Sequence, residues 1–95
     1  MDKTMNAILI HNDDNVVTTT ELLQAGSVAR YQKDEVVVEI VIREEIPKFH
    51  KIAVEDIEKT KSVYKYGQLI GEAIKTICKG SHVHDHNIAS PKKTR

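Results

Sequence analysis

Three of the chain's five histidines stand at alternate positions in the stretch Gly80-Ser81-His82-Val83-His84-Asp85-His86-Asn87. Along a strand, successive side chains point to opposite faces, so His82, His84 and His86 share one face and Val83 and Asp85 the other. A helix would pair only His82 with His86. Lys79-Gly80 reads as a turn, and the β-branched Val83 sits among poor helix formers, so the spacing predicts a strand. Imidazoles at i and i+2 are rooted roughly 6 to 7 Å apart, near enough to converge on one ion, and a short histidine-rich tract is a compositional sign of metal binding. His82, His84 and His86 are therefore the candidate metal ligands. The competing reading is a solvated edge strand. Val83, packed against apolar residues such as Ile8, Ile10 or Val63, would leave the imidazoles accessible and near His11 or His50.

The rest of the chain must position that strand. Ninety-five residues make one small domain, able to bury only about two thirds of its unfolded surface, so a homo-oligomer or a partner is expected. Lysine plus arginine equals aspartate plus glutamate at fourteen each, which leaves no basic field for nucleic acid and no polybasic case for a membrane. No apolar run approaches the roughly 20 residues of a membrane span, and no charged-then-apolar signal opens the sequence. A cytoplasmic protein is expected. The single Cys78 has no internal disulfide partner and reads as a small buried filler.

Residues 1–4 read as a flexible N-terminus, 5–88 as the domain, and 89–95 as a flexible basic tail. Asn6 to His11 is a short apolar strand, turned by Asn12-Asp13-Asp14-Asn15 into the β-branched Val16 to Thr20, which predicts a hairpin. Glu21-Leu22-Leu23 fits one helical turn ended at Ala25-Gly26, and Ser27 to Gln32 is extended again. Val36 to Ile42 is apolar on both faces, which predicts burial on both sides or a subunit contact. Pro47 breaks that strand. His50 to Ala53 alternates polar with apolar, Val54 to Ile57 fits a short helical turn, and Glu58-Lys59-Thr60-Lys61 is a charged bend. Ser62 to Gly67 reads as a strand ended by glycine, and Gly71 in the apolar run that follows marks a bulge or a close backbone approach. Ile74, Ile77 and Cys78 fit one helix face in a segment too short for periodicity to decide. No internal repeat or linker divides the chain. The expected class is a mostly β, small single domain with short helical turns.

Four stretches carry a resemblance to a known family: Ile10-His11 with Asp14-Asn15-Val16; Ile46-Pro47 with His50-Lys51-Ile52-Ala53; Lys65-Tyr66-Gly67 with Ile70-Gly71; and Gly80 with His82-Val83-His84 and His86-Asn87. In their order and spacing the chain resembles the SAF domain of the altronate and galactarate dehydratase (UxaA-type) family, and the alpha subunit of sulfolactate sulfo-lyase. The resemblance implies a β-clip fold of short strands that cross and fold back. It also implies an accessory role, without activity of its own, beside a large dehydratase-like catalytic subunit. The implied reaction is loss of water from a sugar acid such as altronate or galactarate, or of sulfite from a sulfo-acid, assisted by a divalent metal. Departures from the family pattern are Phe49 and Thr60, where glycine is usual, and Ser81 and Asp85, where glutamate and valine are commoner.

Eliminating water beside a carboxylate requires a base, an acid, and an electrophile to hold enolate-like charge. A metal can be the electrophile; imidazole ligands lean to Fe(II) or Zn, and the resemblance implies iron or manganese, so Fe(II) is favoured, with Mn or Zn as alternatives. The acid and base are unassigned. His50, Lys51, Lys65 and Tyr66 offer cations and donors to a substrate carboxylate or to the partner subunit. His11 and Asn87 complete the candidate substrate or partner contacts, His11 reading equally well as a structural residue after a buried strand. The expected function is the small subunit of a metal-assisted lyase. Its competitors are a non-catalytic SAF-type binding or assembly module and a small stand-alone metal-binding protein.

Overall fold

In the computed structural model, which describes residues 4–90, the Asn12 to Asn15 turn joins β1 (Ala7–Ile8) to β2 (Val16–Thr19) as the expected antiparallel hairpin, Ala7 opposite Thr19. Asp34 takes a φ of 56° in the tight turn between β3 (Val28–Lys33) and β4 (Val36–Val41), and six residue pairs hold that second hairpin in regular register. The remaining strands are β5 (Lys51–Ala53), β6 (Ser62–Lys65), β7 (Gln68–Ala73), β8 (His82–Val83) and β9 (Ile88–Ala89). They form a four-stranded sheet in the order β1-β2-β5-β8, a three-stranded sheet β6-β7-β9, and the β3-β4 ribbon. The class is mostly β, as expected. Among the described residues no helix is present, and so none is long and apolar enough to cross a membrane.

The central sheet separates two apolar clusters. Residues directly opposite on neighbouring strands share a face, so Val17, Ile52 and His82 look one way, and Thr18, Lys51 and Val83 the other. On the first side Val17 and Ile52 pack with Ala29, Tyr31, Ile40 and Ile42 of the second hairpin and its exit. On the second side Val16, Ala53 and Val83 pack with Val63, Ala73 and Ile77. Val83 is thus buried beside Val63, whereas Ile8 and Ile10, named with it as packing partners, are exposed.

The segments expected to make helical turns do not. Leu23 forms an isolated bridge with Ile46, and Ile57 one with Ile77. Each of these four aliphatic residues opens the same turn, although the sequence shows no repeat. Three residues after each comes a residue of positive φ: Gly26 at 89°, Phe49 at 67°, Thr60 at 79° and Gly80 at 89°. The next N–H closes the turn, from Ser27 to Gln24 O, His50 to Pro47 O, Lys61 to Glu58 O and Ser81 to Cys78 O. Cross-strand bridging of Leu23, Ile46, Ile57 and Ile77, which buries all four, outweighs a single turn of helix that has no apolar face to bury. Positive φ at the third turn position is where glycine is ordinarily required. Phe49 and Thr60 hold it without glycine, so the backbone geometry survives the two departures from the family pattern.

Two other expectations change. The outer face of β4 is exposed, Val37 at 41% and Val41 at 64%, because a two-stranded ribbon offers cover on one side only; of the two arrangements expected for this strand, burial on both sides is not met within the chain. Near the end of the described chain Ala89 pairs with Glu72, so strand order extends one residue into the segment read as tail. Residues 1–3 and 91–95, which hold the rest of the segments expected to be flexible, lie outside the described residues. Gly71 meets both expectations for it: the β6–β7 register shifts beside its partner Val63, and a Cβ there would come within 2.7 Å of Ala89 O.

Candidate metal centre

The histidine strand is shorter than its alternation predicts. β8 ends at Val83, and residues 84–87 turn, because the buried Asn87 side chain reaches back into them. Asn87 Nδ2 donates to His82 O at 2.7 Å, and its Oδ1 accepts from His84 N at 2.9 Å. Aspartate and asparagine favour such local bonding over a ladder. Asn87, read as a contact for substrate or partner, spends its amide on the backbone between two of the histidines.

The third imidazole comes from elsewhere. His50 ends the second of the four equivalent turns, two residues before Ile52, and so shares the sheet face of His82. His50 Nδ1 and His82 Nε2 lie 2.9 Å apart, a hydrogen bond in which one ring donates and the other accepts. The His84 ring stacks on His50 at 4.4 Å between centroids and lies nearly parallel to His82 at 5.6 Å. One ring nitrogen from each of His50, His82 and His84 falls within 4.8 Å of the others. His86 is exposed, its ring 5.1 Å from that of His82, and it stands outside this group of three.

The surroundings disfavour the charged form of His82 and His50. Burial, then His86, His50 and His84, push the His82 pKa down to about 4 against an opposing pull from Glu44. Burial, followed by His84 and Lys51, holds His50 below its ordinary value. Neutral imidazole is the form that binds metal. His84 Nδ1 is buried and has no hydrogen-bond partner among the described residues. A divalent ion held at roughly 2.0 to 2.1 Å from each nitrogen draws its ligand atoms to within about 4 Å of one another. Three imidazoles that already offer ring nitrogens within 4.8 Å of one another, one ring with a buried nitrogen lacking a partner, are a donor set that fits such an ion.

Lys51 lies on the opposite face, in register with Val83. Its pKa is lowered by burial and then by Lys65, with Asp85 opposing, so the two ammonium groups share one neighbourhood. Lys65 also covers the ring of Tyr66, its Nζ 4.8 Å from the centroid. His11 is placed against Gly67, where a Cβ would come within 2.9 Å of its ring, and its Nδ1 accepts from Asp13 N at 3.1 Å.

Asp14 and Asn15 fasten this end of the molecule, a role that a turn-forming sequence does not disclose. The Asp14 carboxylate accepts from the backbone N–H groups of His11, Tyr66 and Gly67. Asn15 donates to Ser62 O and accepts from Tyr64 N. The only hint in the sequence was the membership of both residues in the matched Ile10 to Val16 stretch.

Three relatives resemble the chain over most of its length. The chain is 36% identical over 80 residues to altronate dehydratase of Bacillus subtilis (strain 168), covering 84% of this chain and 15% of that protein. It is 37% identical over 83 residues to altronate dehydratase of Escherichia coli (strain K12), covering 87% of this chain and 16% of the relative. Against the (2R)-sulfolactate sulfo-lyase subunit alpha of Chromohalobacter salexigens identity is 27% over 88 residues, covering 88% of this chain and 94% of the subunit. The chain thus spans about a sixth of the dehydratases and nearly all of the sulfo-lyase subunit. The altronate/galactarate dehydratase SAF domain profile matches residues 5–91, and the chain belongs to that SAF domain family.

Proposed function

We propose that the chain serves as the small, non-catalytic-alone subunit of a metal-assisted lyase, working in the cytoplasm with a separate large catalytic subunit on a sugar acid such as altronate or galactarate. A sulfo-acid is the alternative substrate. The observation that carries this reading is the meeting of His50, His82 and His84 within 4.8 Å in a domain whose relatives are named dehydratases and a lyase subunit. The 94% coverage of a protein called subunit alpha supports a separate partner chain.

The three imidazoles would hold a divalent ion, Fe(II) before Mn or Zn. When bound, such an ion supplies Lewis-acid polarisation of substrate oxygens. Lys51, with Asp85 as its counter-charge, and Lys65 beside it would attract the substrate carboxylate, and the Tyr66 hydroxyl is a donor next to Lys65. His86 and His11, both exposed, are left to contact the partner.

The test is co-expression with the large lyase-type chain encoded beside this one, followed by dehydration and desulfonation assays on the purified pair. Activity is expected only with both chains, and the variant with His50, His82 and His84 all changed to alanine should still associate but be inactive. Full activity of that variant would end the proposal.

A further inference from the structure

Glu44 lies in a bend that no motif singled out. The segment after β4 is pinned on both sides: Arg43 N donates to Gly80 O at 3.0 Å, and Ile46 exchanges both backbone bonds with Leu23. Between those anchors the Glu44 carboxylate crosses to β8, and its Oε2 accepts from His82 N at 3.2 Å. β8 has a neighbour on one edge only, β5, so this carboxylate stands where the next strand's carbonyl would stand. A neutral acceptor would satisfy the N–H equally well, and the carboxylate adds negative charge beside the His50, His82 and His84 rings.

We propose that Glu44 is a positioning residue of the metal centre, which fixes the backbone of His82 and supplies negative charge that favours a divalent cation between His50, His82 and His84. The inference rests on the reading of those three residues as ligands. Glu44 is outside the three-nitrogen group and acts through His82 and through space. Partners of this kind commonly change metal affinity 10- to 100-fold. Ions that favour oxygen-rich, anionic surroundings, Mn(II) above all, should feel the charge more than Zn(II).

The experiment is titration of the full chain with Mn(II), free ion being read from its electron paramagnetic resonance signal, and a parallel competition titration with Zn(II). Glu44→Gln keeps an acceptor for His82 N and removes the charge. Glu44→Asp keeps the charge. Glu44→Gln is expected to weaken Mn(II) about 10-fold and Zn(II) less, with an unchanged melting temperature, and Glu44→Asp is expected to recover most of the loss. Mn(II) affinity of Glu44→Gln within twofold of wild type overturns the inference. So does equal weakening in both variants that tracks a loss of thermal stability, since that is a structural role alone. Wild-type uptake that is abolished by His50→Ala but indifferent to Glu44→Gln removes Glu44 and leaves the centre standing. No uptake by wild type, or uptake unchanged in His50→Ala, removes both.

Discussion

Thr60→Gly should make the protein more stable. Thr60 is β-branched and sits at φ 79° in the third of the four equivalent turns, a conformation that costs an L-residue with a Cβ about 1 to 2 kcal/mol. Its side chain is exposed and makes no hydrogen bond among the described residues, and the turn is held by backbone groups: Thr60 N to Ala73 O at 2.8 Å and Lys61 N to Glu58 O at 2.9 Å. Glycine keeps both bonds and removes the Cβ clash, while the greater freedom of the unfolded chain takes back about 0.5 to 1 kcal/mol. The net gain is about 0.5 to 1 kcal/mol, and in a domain of this size each kcal/mol moves the midpoint by roughly 4 to 8 °C. Thermal denaturation followed by circular dichroism should therefore show a rise of about 2 to 8 °C. Gly26→Ala is the reverse experiment at an equivalent turn. Nothing lies within 4 Å of a Cβ built at Gly26, so the conformational cost appears alone and the midpoint should fall. An unchanged or lowered midpoint in Thr60→Gly would show that the four turns are not under the same backbone constraint.

Metal-free protein should lose stability as the pH falls from about 6.5 toward about 4: the unfolded chain protonates its histidine near 6.5 while folded His82 waits until about 4, so the unfolded state binds more protons in that window. His82→Asn should flatten the slope between pH 6.5 and 5 in urea titrations, and an identical slope in both proteins would refute the assignment. Asn87→Ala, which strips the bonds to His82 O and His84 N, should cost about 1 to 3 kcal/mol and weaken metal uptake in equilibrium denaturation and metal titration; unaltered uptake would mean that Asn87 does not set the His82–His84 spacing. Asp14→Ala, which frees three backbone donors at once, should cost about 3 kcal/mol and show as early hydrogen exchange at Tyr66 and Gly67, protection there staying intact being the contrary result.

The strands were legible where β-branched runs lay between turn formers, as in Val16 to Thr19 and Val36 to Val41, because local preference and tertiary pairing agree there. Val83 and Gly71 were legible for the same reason. The bridges of Leu23 with Ile46 and of Ile57 with Ile77 were not, since one paired residue leaves no period to detect. Nor was the fourfold turn, whose common feature is a backbone angle held by glycine twice and by Phe49 and Thr60 otherwise. Alternation brought His82 and His84 to one place, but it also carried the strand on to His86, past the point where Asn87 folds the chain back. His50 was marked for substrate or partner, and its approach to His82 across 32 positions is a property of strand order that spacing along the chain does not contain.

That separation has a temporal side. β8 is two residues long and joins the central sheet only through β5, while the Asn87 amide that shapes its exit lies five positions further on. A polypeptide growing from its N-terminus has β1, β2 and β5 in hand, and His50 placed, before either of the other two imidazoles exists. Pairing between distant segments is also the slow part of folding. The trio therefore closes late in the folding of this domain, and the three rings can converge on a cation only once β8 has paired with β5.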